Sequence, residues 1–265
     1  MTFWQQRREG PVLIGSYLQE PMNYYTEDAF DDLEALIQAA RAQDVRALVL
    51  CGGRPGTFIT HFSAEQILAG LRDPARLVAD GPARNHRVTA VTRSLGELPI
   101  PVLAAMNGDT MGFGLELSLA CDFRIGEDGD YRYGFPEVRL GVIPGGGGTQ
   151  RLSRIVGRAA ALDLVLRSRL LRPHEACAAG IVHEVAVDAV ARAVALGQEM
   201  ANLAPLAVAM AKHSILAGSD LTLPSGLALE TDASFRAKLH PAAVAALEEY
   251  VALPTDRRRD WLEQV

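Results

Sequence analysis

An α/β fold follows from three features of this 265-residue chain. Two short, mainly apolar runs, VRALVL at 45–50 and VLAAM at 102–106, suit strands buried in a parallel sheet. Apolar residues at helical spacing lie before, between and after them. The alternation of strand and helix implies βαβ units with right-handed crossovers. The length suits one such domain with a helical extension, and an apolar share of 49% supports a large core.

The elements follow in order. Residues 3–18 read as a strand pair, with Gly10-Pro11 as the turn between QQRRE and VLIGSYL. Pro21, Met22 and Asn23 break the pattern. Thr26 stands where it would cap a helix whose first turn holds Glu27 and Asp28. Phe30, Leu33, Leu36, Ile37 and Ala40 then fall at helical spacing. After the first buried strand, Gly52-Gly53-Arg54-Pro55-Gly56 is a loop, and Ser63 with Gln66 fits a capping box, so a helix opens there. Residues 68–81 are partly polar. Val88, Val91, Leu95 and Leu98 predict a helix over 85–98, stopped by Pro99 and Pro101. Asn107-Gly108 turns the chain after the second buried strand. Further helices are expected at 158–166, 188–203, 205–216, 227–235 and 242–253, with Pro205 fitting a helix start.

Composition excludes several classes. A net charge of -6 argues against a nucleic-acid binder, whose affinity needs clustered positive charge. Lys212 and Lys238 are the only lysines. Cys51, Cys121 and Cys177 are few, odd in number and widely spaced, so they read as free thiols in a reducing compartment. His174 and His183 are separated by a whole helix, and no metal-ligand spacing appears. The first ten residues, MTFWQQRREG, carry no apolar signal core, and no stretch approaches a transmembrane length free of charge. The expectation is a soluble cytoplasmic protein without a membrane partner.

The chemistry concentrates between Asn107 and Arg151, in NGDTMGFGLELSLACDFRIGEDGDYRYGFPEVRLGVIPGGGGTQR. Two glycine-rich turns lie here, and glycine lets a backbone approach a ligand closely. A helix opening after such a turn presents unpaired N–H groups and a positive dipole end. A glutamate accompanies each turn: Glu116 after MGFG, and Glu137 in GFPE before PGGGG. Glu116 interrupts an apolar run, LELSLAC, and carboxylates are rarely buried without a reason. The alternative for either glutamate is a surface position or an ion pair with an arginine. Cys121 reads as core and Asp122 as structural. The residues together suggest an anion-stabilising turn with two carboxylates able to move protons. PGGGGT at 144–149 lacks the lysine spacing of a nucleotide phosphate loop.

AAMNGDTMGFGLELSLACDFRI resembles the central signature of the enoyl-CoA hydratase/isomerase (crotonase) superfamily, and GFPEVRLGVIPGGGGTQRL resembles its second signature. Order and spacing agree, and the resemblance extends over residues 45–237. It implies a crotonase-like spiral of ββα repeats with a C-terminal helical region. The expected division is an α/β core over 1–200 and a helical oligomerisation region over 201–265, in a homotrimer or dimer of trimers. The substrate would be an acyl-CoA, with coenzyme A as part of the substrate and no other cofactor.

In that family two backbone N–H groups hold the thioester oxygen. By position these are the amides of Phe62 and of Phe113, the middle residue of Gly112-Phe113-Gly114. Glu116 and Glu137 match the family's two catalytic glutamates. Thr60, His61, Gly112, Gly114, Pro136 and Gly145 fall where the substrate would be bordered. The family's loop at PMNYY lies near the nucleotide of CoA, residues 68–81 match a flap over the acyl chain, and PHEACAAGIV matches a helix–glycine–strand element, Gly180 ending the helix.

Some residues depart from the family pattern. Thr60-His61-Phe62-Ser63 stands where a small residue, glycine, any residue and aspartate are usual. Any residue except proline supplies an N–H, so Phe62 keeps the role. His61 is either a satisfied structural histidine or part of the acyl pocket. Phe113 replaces a smaller residue and needs space for its ring; with Phe62 and His61 it suggests an atypical substrate. One extra residue falls in EDGDY, between the glutamates. In the tail DRRRDWLEQV, Arg257, Arg258 and Arg259 form either a solvated face or a phosphate clamp.

Two carboxylates can hold one water between them, their repulsion raising one pKa so that they share a proton. This implies hydration of a trans-2-enoyl-CoA to a 3-hydroxyacyl-CoA. Isomerisation, which can use one carboxylate, other enolate chemistry such as hydrolysis or decarboxylation, and a non-catalytic scaffold are the alternatives.

Overall fold

The computed structural model describes residues 2–263. A hairpin opens the chain: β1 (Trp4–Glu9) pairs antiparallel with β2 (Val12–Tyr17) across Gly10-Pro11. The helix α1 (Ala29–Ala39) leads to three successive turns of one kind. In each, one strand enters a six-stranded sheet, a shorter strand enters a four-stranded sheet, and one or more helices follow. The first turn is β3 (Ala47–Gly52), β4 (Gly56–Thr57), α2 (Ala64–Leu71), α3 (Pro74–Asp80) and α4 (His86–Gly96). The second is β5 (Val102–Met106), β6 (Gly108–Met111) and α5 (Phe113–Ala120). The third is β7 (Phe123–Glu127), β8 (Tyr133–Gly134), α6 (Gly148–Val156) and α7 (Arg158–Leu166). Then β9 (Leu170–Leu171) closes the small sheet, and α8 (Pro173–Ala178) leads to β10 (Glu184–Ala186) at the edge of the large one. The sheet orders are β1-β2-β3-β5-β7-β10 and β4-β6-β8-β9, parallel except for β1 with β2 and β8 with β9.

The large sheet is covered on both faces. Leu13, Leu48, Leu50, Val102, Ala104 and Met106 join a core with Phe30, Leu33, Leu36 and Ile37 of α1. Their neighbours Val12, Ile14, Ala47, Val49, Leu103 and Ala105 face the other way, under Ala189, Ala193 and Val194 of α9 (Ala189–Ala201). Alternate strand residues point to opposite faces, and two buried faces explain why these strands read as continuous apolar runs.

Local expectations needed correction where distant residues intervened. The first helix begins at Ala29, not after a Thr26 cap; Thr26 donates its hydroxyl to the Gln19 side chain at 3.2 Å, and Asp28 holds the N-cap position without a side-chain bond. Ser63 does cap α2, accepting the Gln66 N–H at 3.2 Å. The Gln66 side chain instead accepts the Glu27 N–H at 3.0 Å, so the capping box is half built. Residues 64–80 are two helices.

After α9 come α10 (Pro205–Gly218), α11 (Leu223–Lys238), α12 (Pro241–Ala252) and α13 (Arg258–Glu263). α11 extends beyond 227–235 at both ends. Among the described residues of these four helices only Ala233 is buried. Lys212 of α10 fastens them to the core: its ammonium lies 2.7 Å from Asp122 Oδ2 and donates to the Ile100 carbonyl at 2.9 Å. In the tail, Arg257 pairs with Asp260, Arg259 with Glu263, and Arg258 donates to the Val251 and Leu253 carbonyls over the Tyr250 ring. Gln264 and Val265 of that tail lie outside the described residues. Among the described residues no single helix is long and apolar enough to cross a membrane.

Candidate active site

The helix α5 opens directly from β6 at Gly112, whose φ of 50° suits glycine. Every residue of the helix is buried, including Glu116 one turn in, at 3% exposure. Glu116 Oε1 accepts two backbone N–H groups, from Gly146 at 2.7 Å and Gly148 at 2.9 Å. These amides flank Gly147, the N-cap of α6. The carboxylate therefore sits at a helix N-terminus, where unpaired N–H groups and the dipole favour an anion. The run of glycines is a matter of space. A Cβ on Gly146 would stand 2.8 Å from Glu116 Oε2 and from Val88 Cγ1, and one on Gly148 would stand 2.7 Å from the Phe135 ring. Burial pushes the Glu116 carboxyl above its ordinary range, and the two amides and the Arg151 charge oppose that push.

Glu137 is held differently. It opens a 3-10 turn, Glu137–Leu140, after Pro136. The residue is half-buried, its Oε2 is enclosed, and among the described residues that oxygen meets no donor. Nor does a lysine or arginine pair with it among the described residues. Burial, with the charge of Glu116 adding to it, pushes the Glu137 carboxyl up to about 7. Gly112 joins this group: a Cβ there would lie 3.0 Å from Glu137 Oε1 and 3.4 Å from His61 Cβ.

Two free amides complete the geometry. The segment around Thr60 lies against β6, the Met111 N–H reaching the Thr60 carbonyl at 3.1 Å. On its other side Tyr25 bonds the His61 carbonyl at 2.8 Å and the Ser63 N–H at 2.7 Å. Successive backbone groups alternate in direction, so the Phe62 N–H points away from Tyr25. Among the described residues it has no acceptor. The Phe113 N–H is the first of α5, so it has no intrahelical acceptor and, among the described residues, none elsewhere. Both rings enter the aromatic core. Phe113 packs on Tyr25 at 4.5 Å and Phe30 at 5.5 Å between ring centres, with Phe62 at 6.4 Å. That core is the space the phenylalanine needs.

The other positions singled out in the sequence are spread unequally. His61 is half-buried, stacks on Tyr24 at 4.6 Å, holds Nδ1 2.7 Å from the Phe62 carbonyl, and adjoins Gly112. Thr60 is buried with its hydroxyl given to the Met22 carbonyl, which ties it to the 21–25 loop. Gly114 is buried, Pro136 directly precedes Glu137, and exposed Gly145 lies against Asn85. Asn23 escaped sequence reasoning. Asn23 is fully buried at φ 52°, and its Nδ2 lies 3.1–3.2 Å from the carbonyls of Tyr17, Thr57 and Phe58. It pins the 21–25 loop to the segment that carries Phe62. An asparagine just past a proline break, a residue type that tolerates φ > 0, was the available signal.

The site thus combines two unpaired amides, one carboxylate held by N–H donors and one that takes up a proton near neutrality. A family model described as enoyl-CoA hydratase/isomerase matches residues 14–248. Mitochondrial methylglutaconyl-CoA hydratase of Rattus norvegicus is 32% identical over 235 residues, 85% of this chain and 72% of that protein. The fatty acid oxidation complex subunit alpha of Shewanella oneidensis is 37% identical over 188 residues, 69% of this chain. This chain spans only 26% of that longer relative. The crystal structure of an enoyl-CoA hydratase from Bacillus anthracis superposes with a TM-score of 0.87 at 26% identity, covering 95% of this chain and 96% of that one. The chain belongs to the enoyl-CoA hydratase/isomerase family, and its fold is the crotonase fold.

Proposed function

We propose that this family member is an enoyl-CoA hydratase, adding water across the 2,3 double bond of a trans-2-enoyl-CoA to give a 3-hydroxyacyl-CoA. The observation that carries the reading is the unequal pair of glutamates. The thioester oxygen accepts the N–H groups of Phe62 and Phe113. Ionised Glu116 takes a proton from water as the water oxygen bonds to C3. The electrons of the double bond move toward the carbonyl, and the enolate oxygen is stabilised by the two amides, each worth roughly 3–4 kcal/mol in the transition state. Protonated Glu137 then delivers its proton to C2. One H and one OH have been added, and a proton returning from Glu116 to Glu137 restores the starting state. The pair titrates as a unit, with the upper step near the Glu137 value of about 7. Isomerisation needs only one carboxylate, and a scaffold needs neither.

The test is loss of the conjugated enoyl-thioester absorbance over a panel of trans-2-enoyl-CoAs, with Glu137→Gln alongside. Wild type should consume substrate, and the variant should bind it without turnover. Binding without consumption by wild type, or equal turnover by both, would overturn the reading. The same proposal includes a cytoplasmic enzyme whose 201–265 region packs copies into trimers. Apolar side chains left exposed there, among them Ile215, Phe235, Val244 and Leu247, support that packing.

A further inference from the structure

We propose that Thr92 and Arg151 are positioning residues for Glu116, clamping the Gly146 peptide so that its N–H stays aimed at the carboxylate. The proposal rests on Glu116 acting as the base. One peptide group carries the connection. Its N–H donates to Glu116 Oε1 at 2.7 Å. The carbonyl of the same residue accepts Arg151 Nη1 at 2.9 Å and lies 3.3 Å from the Thr92 hydroxyl. Arg151 Nη2 also donates to Thr92 Oγ1 at 3.2 Å, which joins α4 and α6 over the loop. Thr92 is fully buried, with Val88 and Thr89 carbonyls 3.1 and 3.2 Å from its hydroxyl.

Arg151 stands where a cation is least expected. It lies in the first turn of α6, at the positive end of the helix dipole. Its guanidinium folds back across Gly147, where a Cβ would meet Nη1 at 2.2 Å. An arginine whose only task was solubility would extend into water. Here the unfavourable dipole is offset by the Gly146 carbonyl and by the charge of Glu116. A cation on a carbonyl also polarises its chain and strengthens the hydrogen bonds further along. Loss of the clamp frees the loop to turn, and Glu116 loses a donor and binds its proton more readily. Among the described residues, Glu137 and the Cys121 thiol are the other titratable groups facing this network. Burial pushes the thiol up and keeps it neutral, and Glu137 governs the descending limb of the pH profile.

The experiment measures kcat and KM against pH for Thr92→Val, Thr92→Ser, Arg151→Lys and Arg151→Met, with a thermal melt of each. Thr92→Val keeps the shape and removes the hydroxyl. It should lower kcat about tenfold, the weight of one hydrogen bond, with KM within about twofold of wild type. Its ascending limb should move to higher pH, while the descending limb stays. Thr92→Ser should restore both values. Arg151→Met should shift the limb further than Arg151→Lys. An unmoved ascending limb in Thr92→Val overturns the proposal, whether kcat is retained or falls together with the melting temperature. Failure of the underlying reading looks different: Glu116→Gln would then turn over as wild type does, or wild type would not turn over at all.

Discussion

Glu116 and Glu137 are the same side chain in two kinds of wall. The first stands where α5 meets the start of α6, fully buried, with one oxygen shared by two amides. The second stands on a single 3-10 turn, half-buried, with one enclosed oxygen that meets no donor among the described residues. N–H donors favour the charged form and oppose the upward push that burial gives the Glu116 carboxyl, whereas the Glu137 carboxyl, with an oxygen stripped of water and given no donor, is pushed up to about 7. Roles as acid and base can thus be set by the walls and not by residue type. The second wall carries a stability cost, which is a usual companion of function.

The largest effect that could break this comparison is catalytic. Glu116→Gln and Glu137→Gln should each lower kcat by roughly 10²–10⁴, the range for general acid–base groups. The double variant should be no slower than the worse single, because in the proposed mechanism the two act on one water. Losses that multiply would mean that the carboxylates work independently.

Stability is the next measure. The folded-state carboxyl of Glu137 is raised to about 7 from an ordinary 4.5. Its contribution to stability is therefore full below the ordinary value and is lost as pH rises through about 7. A rise of that size corresponds to roughly 3 kcal/mol at most. Glu137→Gln should accordingly melt several degrees above wild type at pH 8 and close to wild type at pH 4. Glu116→Gln should gain less at pH 8, since its two amides and Arg151 already offset part of the burial cost. Equal gains for the two variants would erase the distinction between the walls.

The smallest effects come from the glycines. An alanine at Gly112 would bring a Cβ within 3.0 Å of Glu137 Oε1, and one at Gly146 within 2.8 Å of Glu116 Oε2. Gly112→Ala, with its positive φ, should cost roughly 1–2 kcal/mol and move the descending limb of the pH profile. Gly146→Ala should move the ascending limb. A crossed result would reassign the two carboxylates.

Much of the fold was legible because its signals are local. Strands buried on both faces announce themselves as apolar runs, as at 102–106, and α7 covers the 158–166 expected from spacing. The strands of the small sheet were not legible. β4, β8 and β9 have two residues each and β6 four, too short to show a period. The start of α1 was misplaced because the Thr26 hydroxyl has a partner seven residues upstream. In the site, the glutamates and the amide positions stood out by motif. Thr92 and Asn23 did not: a threonine in an amphipathic helix and an asparagine in a loop show their purpose only through the carbonyls they reach.

By itself the sequence determined the inventory: two glycine turns, a glutamate beside each, and strands apolar enough to hold them inside a sheet. Only the tertiary structure decided which glutamate is satisfied. The donors to Glu116 come from residues 30 and 32 positions downstream, brought back by a full ββα turn. Hydrogen bonding and desolvation act over a few ångströms of space and are indifferent to chain separation. Two glutamates in similar motifs therefore acquire different surroundings, one oxygen given two donors and the other left without any among the described residues, from neighbours that no local pattern names.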